Sequence, residues 1–177
     1  STAPPSASGS LIAVTLDTLT AAAPSVATLY SPNARQSIEA IAITRDAILV
    51  AGYENVRGRM VRFSFDGRAW VEGQVNLPTT GSISFAGSSP TEQTAFAIYE
   101  DYLTPDTLYA LDERATRARV IRSLPALFNA QDFVAEQFEA TSRDGARVPY
   151  FVVHRRDMVP NGENPTLLWA YGGFQVS

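Results

Sequence analysis

Hydrophobic and polar residues alternate along most of this chain with a period near two, and turn-forming residues interrupt each alternating run. This pattern is typical of short β-strands that turn one face toward a core. A first set of strands is predicted at residues 38–43, 47–53, 59–65 and 68–71. A second set is predicted at residues 81–85, 94–99, 107–111 and 117–121. Within the first set, residues 54–58 are predicted to break the pattern, and Asp66 and Gly67 indicate a two-residue hairpin.

The second set of strands begins about 40 to 50 residues after the first, which is the repeat length of a β-propeller blade. A β-sandwich also contains short strands at regular spacing, so the pattern alone leaves that fold open. Residues 11–30 are interpreted as part of a further unit, with a helical turn between residues 16 and 22. Propeller blades are stabilised mainly by stacking on their neighbours. A chain with only two to three blades does not close the ring and leaves sheet edges open. We therefore expect the chain to be part of a larger structure.

The pattern changes at residues 123–125. Three longer and more apolar strands are predicted at residues 133–141, 147–154 and 166–171. The last of them does not alternate, as in a strand that is buried on both faces of a parallel sheet. It leads into Gly172 and Gly173. On spacing alone this pair favours a tight turn that has no room for a Cβ, and it is also compatible with a loop whose donors face a reacting carbonyl.

The composition excludes several classes of site. The 177 residues contain no Cys and one His, His154, and all 14 Lys+Arg positions are Arg. A chain without Cys has no disulfide framework, zinc ribbon, iron–sulfur cluster or thiol nucleophile, and one His cannot supply a common transition-metal site. The net charge of -4 argues against a dedicated nucleic-acid binder. No apolar run approaches the roughly 20 residues of a membrane-spanning helix.

Few residues indicate chemistry by their pattern alone. The chain contains no G-x-S-x-G nucleophile elbow, P-loop or dinucleotide fingerprint. His154 closes an apolar strand and is interpreted as a hydrogen-bonded or solvated histidine rather than a catalytic base. The acidic residues Glu100, Asp101 and Asp106 lack the spacing of a calcium-binding loop. Structural roles are also assigned to strand and turn serines and to solvent-facing arginines: Ser82, Ser84 and Ser88, then Arg57, Arg59, Arg62, Arg117, Arg119 and Arg122.

Three ordered segments near the end of the chain carry a resemblance to a known family. Residues 137–145 read QFEATSRDG, residues 147–156 read RVPYFVVHRR, and residues 161–174 read NGENPTLLWAYGGF. Together they closely resemble the prolyl oligopeptidase (prolyl endopeptidase) family of serine peptidases. Residues 81–83 and 103–105 also resemble the last propeller blade of that family. The resemblance extends over most of the chain after about residue 10.

The resemblance implies a mainly β chain that contains the last blades of a seven-bladed β-propeller, followed by the first strands of an α/β-hydrolase domain. Residues 1–10 would be a disordered segment or linker, residues 11–130 propeller blades, and residues 131–177 the beginning of the peptidase domain. The Ser/Asp/His triad of the family would lie outside this chain. The implied activity is hydrolysis of short peptides on the carboxyl side of proline, without a cofactor or a metal site.

Two residues of the Tyr-Gly-Gly-Phe motif take on roles by this resemblance. Tyr171 corresponds to a tyrosine whose hydroxyl donates to the oxyanion, and Phe174 to an aromatic residue that lines the pocket for the substrate proline. Trp169 and Ala170 depart from the Tyr-Gly that is usual in the family. Gly173 and Phe174 favour the prolyl branch over oligopeptidase B, which cleaves after Arg or Lys.

The expected partners are short proline-containing peptides and the rest of the same peptidase, with neither nucleic acid nor membrane. We expect the chain alone to be inactive. A non-enzymatic β-propeller or sandwich module that binds a partner through its blade loops remains the alternative of a different class. The sequence does not decide between a cytoplasmic and a periplasmic location.

Overall fold

The computed structural model of this chain describes residues 8–112 and 118–170. These residues form twelve β-strands and one 3₁₀ turn at Leu16–Thr18, and none of them lies in an α-helix. None of the described helical segments has the length and apolar character needed to cross a membrane. In chain order the strands are β1 (Leu11–Val14), β2 (Val26–Tyr30), β3 (Gln36–Ile43), β4 (Ile48–Glu54), β5 (Arg57–Phe65), β6 (Trp70–Gln74), β7 (Ser82–Gly87), β8 (Ala95–Glu100), β9 (Thr107–Leu111), β10 (Ala118–Ser123), β11 (Phe133–Thr141) and β12 (Arg147–Arg155).

The strands form two four-stranded antiparallel sheets and two hairpins. Strands β3 to β6 make one sheet, here called the first blade, and β7 to β10 make the second blade; in each, neighbours along the chain are neighbours in the sheet. Strands β1 and β2 pair with one another, as do β11 and β12. The two predicted sets of four strands and the predicted helical turn are thus confirmed.

The first blade is covered on both faces. Because side chains alternate along β4, Leu49 and Ala51 face the second blade, whereas Val50 faces the β1–β2 hairpin. The core between the blades contains Met60 from β5 and the fully buried Tyr99 from β8. Three sheets in succession, each packed on the next, are the arrangement of propeller blades rather than of a two-layer sandwich.

Two predicted turns differ from the structure. The break predicted at residues 54–58 is a two-residue turn at Asn55 and Val56, because both residues adopt left-handed backbone angles (φ 50° and 59°) that match the twist of a hairpin. The hairpin predicted at Asp66 and Gly67 is a four-residue connection (66–69) instead. The carboxylate of Asp66 accepts the N–H groups of residues 68 and 69, both at 2.8 Å, and thereby keeps them in the turn.

The prediction of a third strand after residue 125, at residues 166–171, is wrong for residues 166–170, the part that the structure describes. Strand 133–141 is confirmed and strand 147–154 extends by one residue, but residues 166–170 form no strand. Leu167 and Leu168 are each 91% exposed. A strand exists through ladder hydrogen bonds to a neighbouring strand, and no described residue provides such a neighbour here. Residues 1–7 and Tyr171 lie outside the described residues.

A β-bulge interrupts the pairing of β3 with β4. Ile38 pairs with Gly52 and Ala40 with Ala51, so that Glu39 has no partner in the ladder. A Cβ on Gly52 would lie 1.9 Å from the carbonyl oxygen of Ser37. The bulge therefore depends on glycine at position 52.

We expect Gly52→Ala to lower the free energy of unfolding by about 1–3 kcal/mol, since the added methyl collides with backbone that cannot move without disturbing the bulge. Gly87→Ala is the matched control, because Gly87 also lies in a strand but has nothing within 4 Å of its added Cβ. We expect the control to change stability by no more than about 0.5 kcal/mol in the same urea titration. Equal effects of the two substitutions would contradict the steric explanation.

Candidate functional site

The β11–β12 hairpin lies against one end of the two blades, where β3 begins, β4 turns into β5 and β8 ends. Arg35, just before β3, reaches Glu139 of β11 with Nη1 and Oε1 2.6 Å apart. Tyr102, just after β8, packs on Phe151 of β12 with ring centroids 5.3 Å apart. We call this region the junction. Here segments that are far apart in the sequence bring polar side chains together.

Glu139 is the charged centre of the junction. Its carboxylate accepts from Arg35 and, through the other oxygen, from Nη2 of Arg147 at 2.9 Å. The hydrogen bonds from Arg35 and then from Arg147 hold the pKa of Glu139 below its usual range. Glu139 is therefore ionised near neutral pH and neutralises part of two positive charges.

Gln137 connects the hairpin to the turn of the first blade. Its Nε2 donates to the carbonyl oxygen of Asn55 at 2.7 Å, and its Oε1 accepts from Nε of Arg57. The left-handed backbone at Asn55 and Val56 places these groups beside the hairpin. A single amide thus uses both its donor and its acceptor to fix the hairpin in one orientation.

A cleft of about 680 Å³ opens between the hairpin and the blade ends. Aromatic side chains from three segments line it, namely Tyr53, Tyr102 and Phe151. Three carboxylates also line it: Glu39 from the bulge of β3, Glu100 from the end of β8 and Asp101 directly after it. The cleft lies at the junction and includes residues of both blades and of the hairpin.

A buried tyrosine fixes one wall of the cleft. The hydroxyl of Tyr99 donates to Asp101 at 2.5 Å, and the other oxygen of Asp101 accepts the N–H groups of Leu103 at 2.8 Å and Thr104 at 2.6 Å. Burial, assisted by the Asp101 carboxylate, raises the pKa of Tyr99 far above its ordinary value. Burial alone would raise the pKa of Asp101, but these donors outweigh it and lower that pKa. An ionised Asp101 therefore holds the turn that carries Tyr102.

The carboxylates of Glu100 and Asp101 at this turn accept hydrogen bonds from within the chain. The Asp101 oxygens are engaged by the donors of its own turn, and no group of three or more His, Asp or Glu side chains among residues 8–112 and 118–170 could hold a metal ion. Ser82 donates to Glu100 at 3.2 Å. Arg59 of β5 pairs with Glu54 at 2.8 Å and with Glu72 at 3.6 Å, so its charge is neutralised within the first blade.

Sequence reasoning missed the residues that form the junction. Arg35 and Glu139 are 104 positions apart, and each alone has the appearance of an ordinary surface charge. The one local signal was the turn at Asn55 and Val56, which places a carbonyl where Gln137 binds it. The two predicted site residues, Tyr171 and Phe174, lie outside the described residues.

Comparisons with known proteins decide the family. The family model for the N-terminal β-propeller domain of prolyl oligopeptidase matches residues 5–123. The chain belongs to the prolyl oligopeptidase family. An uncharacterised peptidase of Sinorhizobium fredii is 36% identical over 148 residues, which are 84% of this chain and 20% of that protein. The prolyl endopeptidase of Elizabethkingia meningoseptica is 31% identical over 103 residues, which are 58% of this chain and 15% of that protein.

A solved structure agrees with this assignment. The structure of a post-proline cleaving enzyme from Rickettsia typhi matches with a TM-score of 0.76 and 33% identity, and covers 95% of this chain and 25% of that one. The two four-stranded sheets of this member of the prolyl oligopeptidase family are therefore blades of a β-propeller. This confirms the predicted mainly β propeller fold. The chain spans about a fifth of the length of these curated relatives.

His154 is the one imidazole of the chain, and it is engaged by the hairpin itself. Its Nε2 lies 2.8 Å from Oε2 of Glu136 across the strand pair, and its Nδ1 lies 2.8 Å from the carbonyl oxygen of Arg155. Both neighbours are acceptors, so the doubly protonated ring satisfies both contacts. The hydrogen bond to Glu136, followed by that to Arg155, raises the pKa of His154 above its ordinary value. His154 is thus a hydrogen-bonded residue near the end of a strand, as predicted.

We expect an NMR titration to give His154 a pKa above the value of about 6.5 for an unperturbed histidine. Because the folded-state pKa is raised, the stabilisation by the protonated ring is complete below the unfolded pKa and is lost as the pH rises through the folded pKa. Glu136→Gln should return the pKa toward the ordinary value and flatten this part of the stability profile. A wild-type pKa at or below the ordinary value would contradict this assignment.

Proposed function

We propose that this chain forms part of a serine endopeptidase that cleaves short peptides on the carboxyl side of proline. The observation that carries the proposal is the likeness, at 33% identity over 95% of the chain, to a structure named as a post-proline cleaving enzyme. The Tyr-Gly-Gly-Phe motif at residues 171–174 also supports it. In this proposal residues 11–130 supply propeller blades and residues 131–177 the first strands of the peptidase domain.

The proposed site residues have roles that suit their chemistry. The hydroxyl of Tyr171 donates a hydrogen bond to the oxyanion that develops when the peptide carbonyl is attacked. The flat ring of Phe174 packs on the pyrrolidine ring of the substrate proline. The Ser nucleophile, its Asp and its His belong to the proposed peptidase outside this chain, and short proline-containing peptides are its substrates. No cofactor or metal takes part.

The junction has a defined part in this function. Strand β12 ends at Arg155, and the chain then leads through residues 156–170 toward Tyr171. The contacts of Glu139, Gln137 and Phe151 hold the hairpin against the propeller. We expect the junction to fix the starting point of the segment that carries the oxyanion donor. A displacement of about 1 Å in a catalytic group is enough to lower a rate strongly.

The test is a comparison of peptide nitroanilides that differ only at the cleaved residue, with the full-length protein that contains this chain. We expect cleavage after Pro to exceed cleavage after Arg, Lys or Ala in kcat/KM, and a serine-directed inhibitor to abolish it. The 177-residue chain alone should show no cleavage. Faster cleavage after Arg or Lys would replace the proposal by an oligopeptidase B-like activity. No cleavage of any substrate would favour a non-enzymatic binding module.

We expect Tyr171→Phe in the same full-length protein to lower kcat on the order of 10²–10³-fold with little change in KM, since the hydroxyl acts mainly in the transition state. Tyr150→Phe is the control, because Tyr150 lies on β12 and packs on Phe138 at the hairpin. That variant should retain its activity. Normal turnover by the Tyr171 variant would remove the proposed oxyanion role.

A further inference from the structure

Of the three carboxylates in the cleft at the junction, Asp101 is engaged by Tyr99 and by the N–H groups of its own turn, which leaves Glu39 and Glu100. Glu39 accepts from the hydroxyl of Ser37 at 2.7 Å, and Glu100 from that of Ser82 at 3.2 Å. Within residues 8–112 and 118–170, neither carboxylate has an ion-pair partner. The two arginines that line the cleft, Arg35 and Arg147, are both bound to Glu139 instead. Glu139 thus offsets these two positive charges in part, and the lining keeps the negative charges of Glu39 and Glu100.

The two carboxylates act on the same side chain, although they belong to different blades. Burial raises the pKa of Tyr53 above its ordinary value, and the charges of Glu39 and Glu100 raise it further. Tyr53 itself lines the cleft. The ring of Tyr53 therefore shares the lining of one cleft with both carboxylates, one from the bulge of β3 and one from the end of β8.

The bulge is what takes Glu39 out of the sheet. Glu39 is the extra residue between the pairs Ile38–Gly52 and Ala40–Ala51, and Gly52 is required for this geometry. Bulges commonly redirect a side chain beside a functional site. In this chain the redirected carboxylate is one of those that line the cleft.

These features match the chemistry of an organic cation. Guanidinium and ammonium groups bind carboxylates through charge-assisted hydrogen bonds and pack on aromatic faces. The tilted pair of Tyr102 and Phe151 provides a further aromatic surface, with Tyr102 more than half exposed. A cleft of about 680 Å³ accommodates a basic side chain together with adjoining backbone. Among the described residues, no group of three or more His, Asp or Glu side chains could hold a metal ion instead of an organic cation.

We propose that the cleft between the β11–β12 hairpin and the blade ends binds the positively charged group of a peptide, held by Glu39 and Glu100 against Tyr53. The group is either the guanidinium of an arginine side chain or the ammonium of a peptide N-terminus, which share this chemistry. The identification of this peptide as a substrate rests on the proposed function. The binding of the cation is independent of that function. The cleft would then select peptides by a charge at a position other than the proline.

The test uses isothermal titration calorimetry on the full-length protein with three small probes. Acetyl-arginine amide carries only the guanidinium, citrulline amide carries only the ammonium, and acetyl-citrulline amide carries neither. We expect at least one charged probe to bind about tenfold more tightly than the neutral probe, and higher salt to reduce the difference. The better of the two charged probes identifies the preferred cation. Equal affinity for all three probes would overturn the proposal.

Variants locate the binding. Glu39→Gln and Glu100→Gln should each reduce the preference for the charged probe, and the double variant should abolish it. Glu92→Gln is the matched control, because Glu92 is an exposed carboxylate in the loop between β7 and β8, at the opposite end of the second blade. A preference that survives the double variant would place the cation elsewhere and overturn the proposal.

The nitroanilide assay, run without these probes, separates this inference from the proposed function. Charge-selective binding that depends on Glu39 and Glu100 supports the cleft even in a protein that does not cleave after proline. Cleavage after proline without charge-selective binding retains the function and rejects the cleft. An unchanged thermal unfolding midpoint in each glutamine variant shows that lost binding is a local effect.

Discussion

Close packing of the first blade on the second is the constraint on which the rest of this structure depends. Ala51, Ala95 and Ala97 have no exposed surface, and such small side chains allow two sheets to approach closely. Met60 and Tyr99 fill the remaining space between the sheets. At the junction end, the N–H of Gly58 donates to the carbonyl oxygen of Gly81 at 2.9 Å, and a Cβ on Gly58 would lie 2.5 Å from that oxygen. This contact fixes the relative position of the loops that build the cleft.

The hairpin is attached to this apolar unit mainly by polar contacts. Glu139 is shared by two arginines, and Gln137 uses both ends of its amide. Charge-assisted and amide hydrogen bonds depend strongly on direction, so they specify orientation more sharply than apolar packing does. Both proposals depend on the position of the hairpin. The chain continues from the hairpin toward Tyr171, and the hairpin forms one wall of the cleft that contains Glu39 and Glu100.

The strands were largely predictable because each is a local pattern. Strands β9 and β11 have the predicted bounds, and both sets of four strands pair in chain order. The errors arose where a local pattern has two outcomes. The apolar run at residues 166–170 resembles a buried strand, but its leucines are exposed and no described strand pairs with it. Asp66 and Gly67 indicated a hairpin, and the length of that turn depended on which N–H groups the carboxylate accepted.

The sequence by itself determined the mainly β character of the chain, the change of pattern at residues 123–125 and the motifs that resemble the prolyl oligopeptidase family, since each depends on neighbouring residues. The tertiary structure alone decided which charges are neutralised. Arg35 and Glu139 become an ion pair only because the blade end and the hairpin meet, whereas Glu39 and Glu100 stay without a cation among the described residues. Ion pairing acts over a few ångströms in space and leaves no trace in the spacing of residues along the chain.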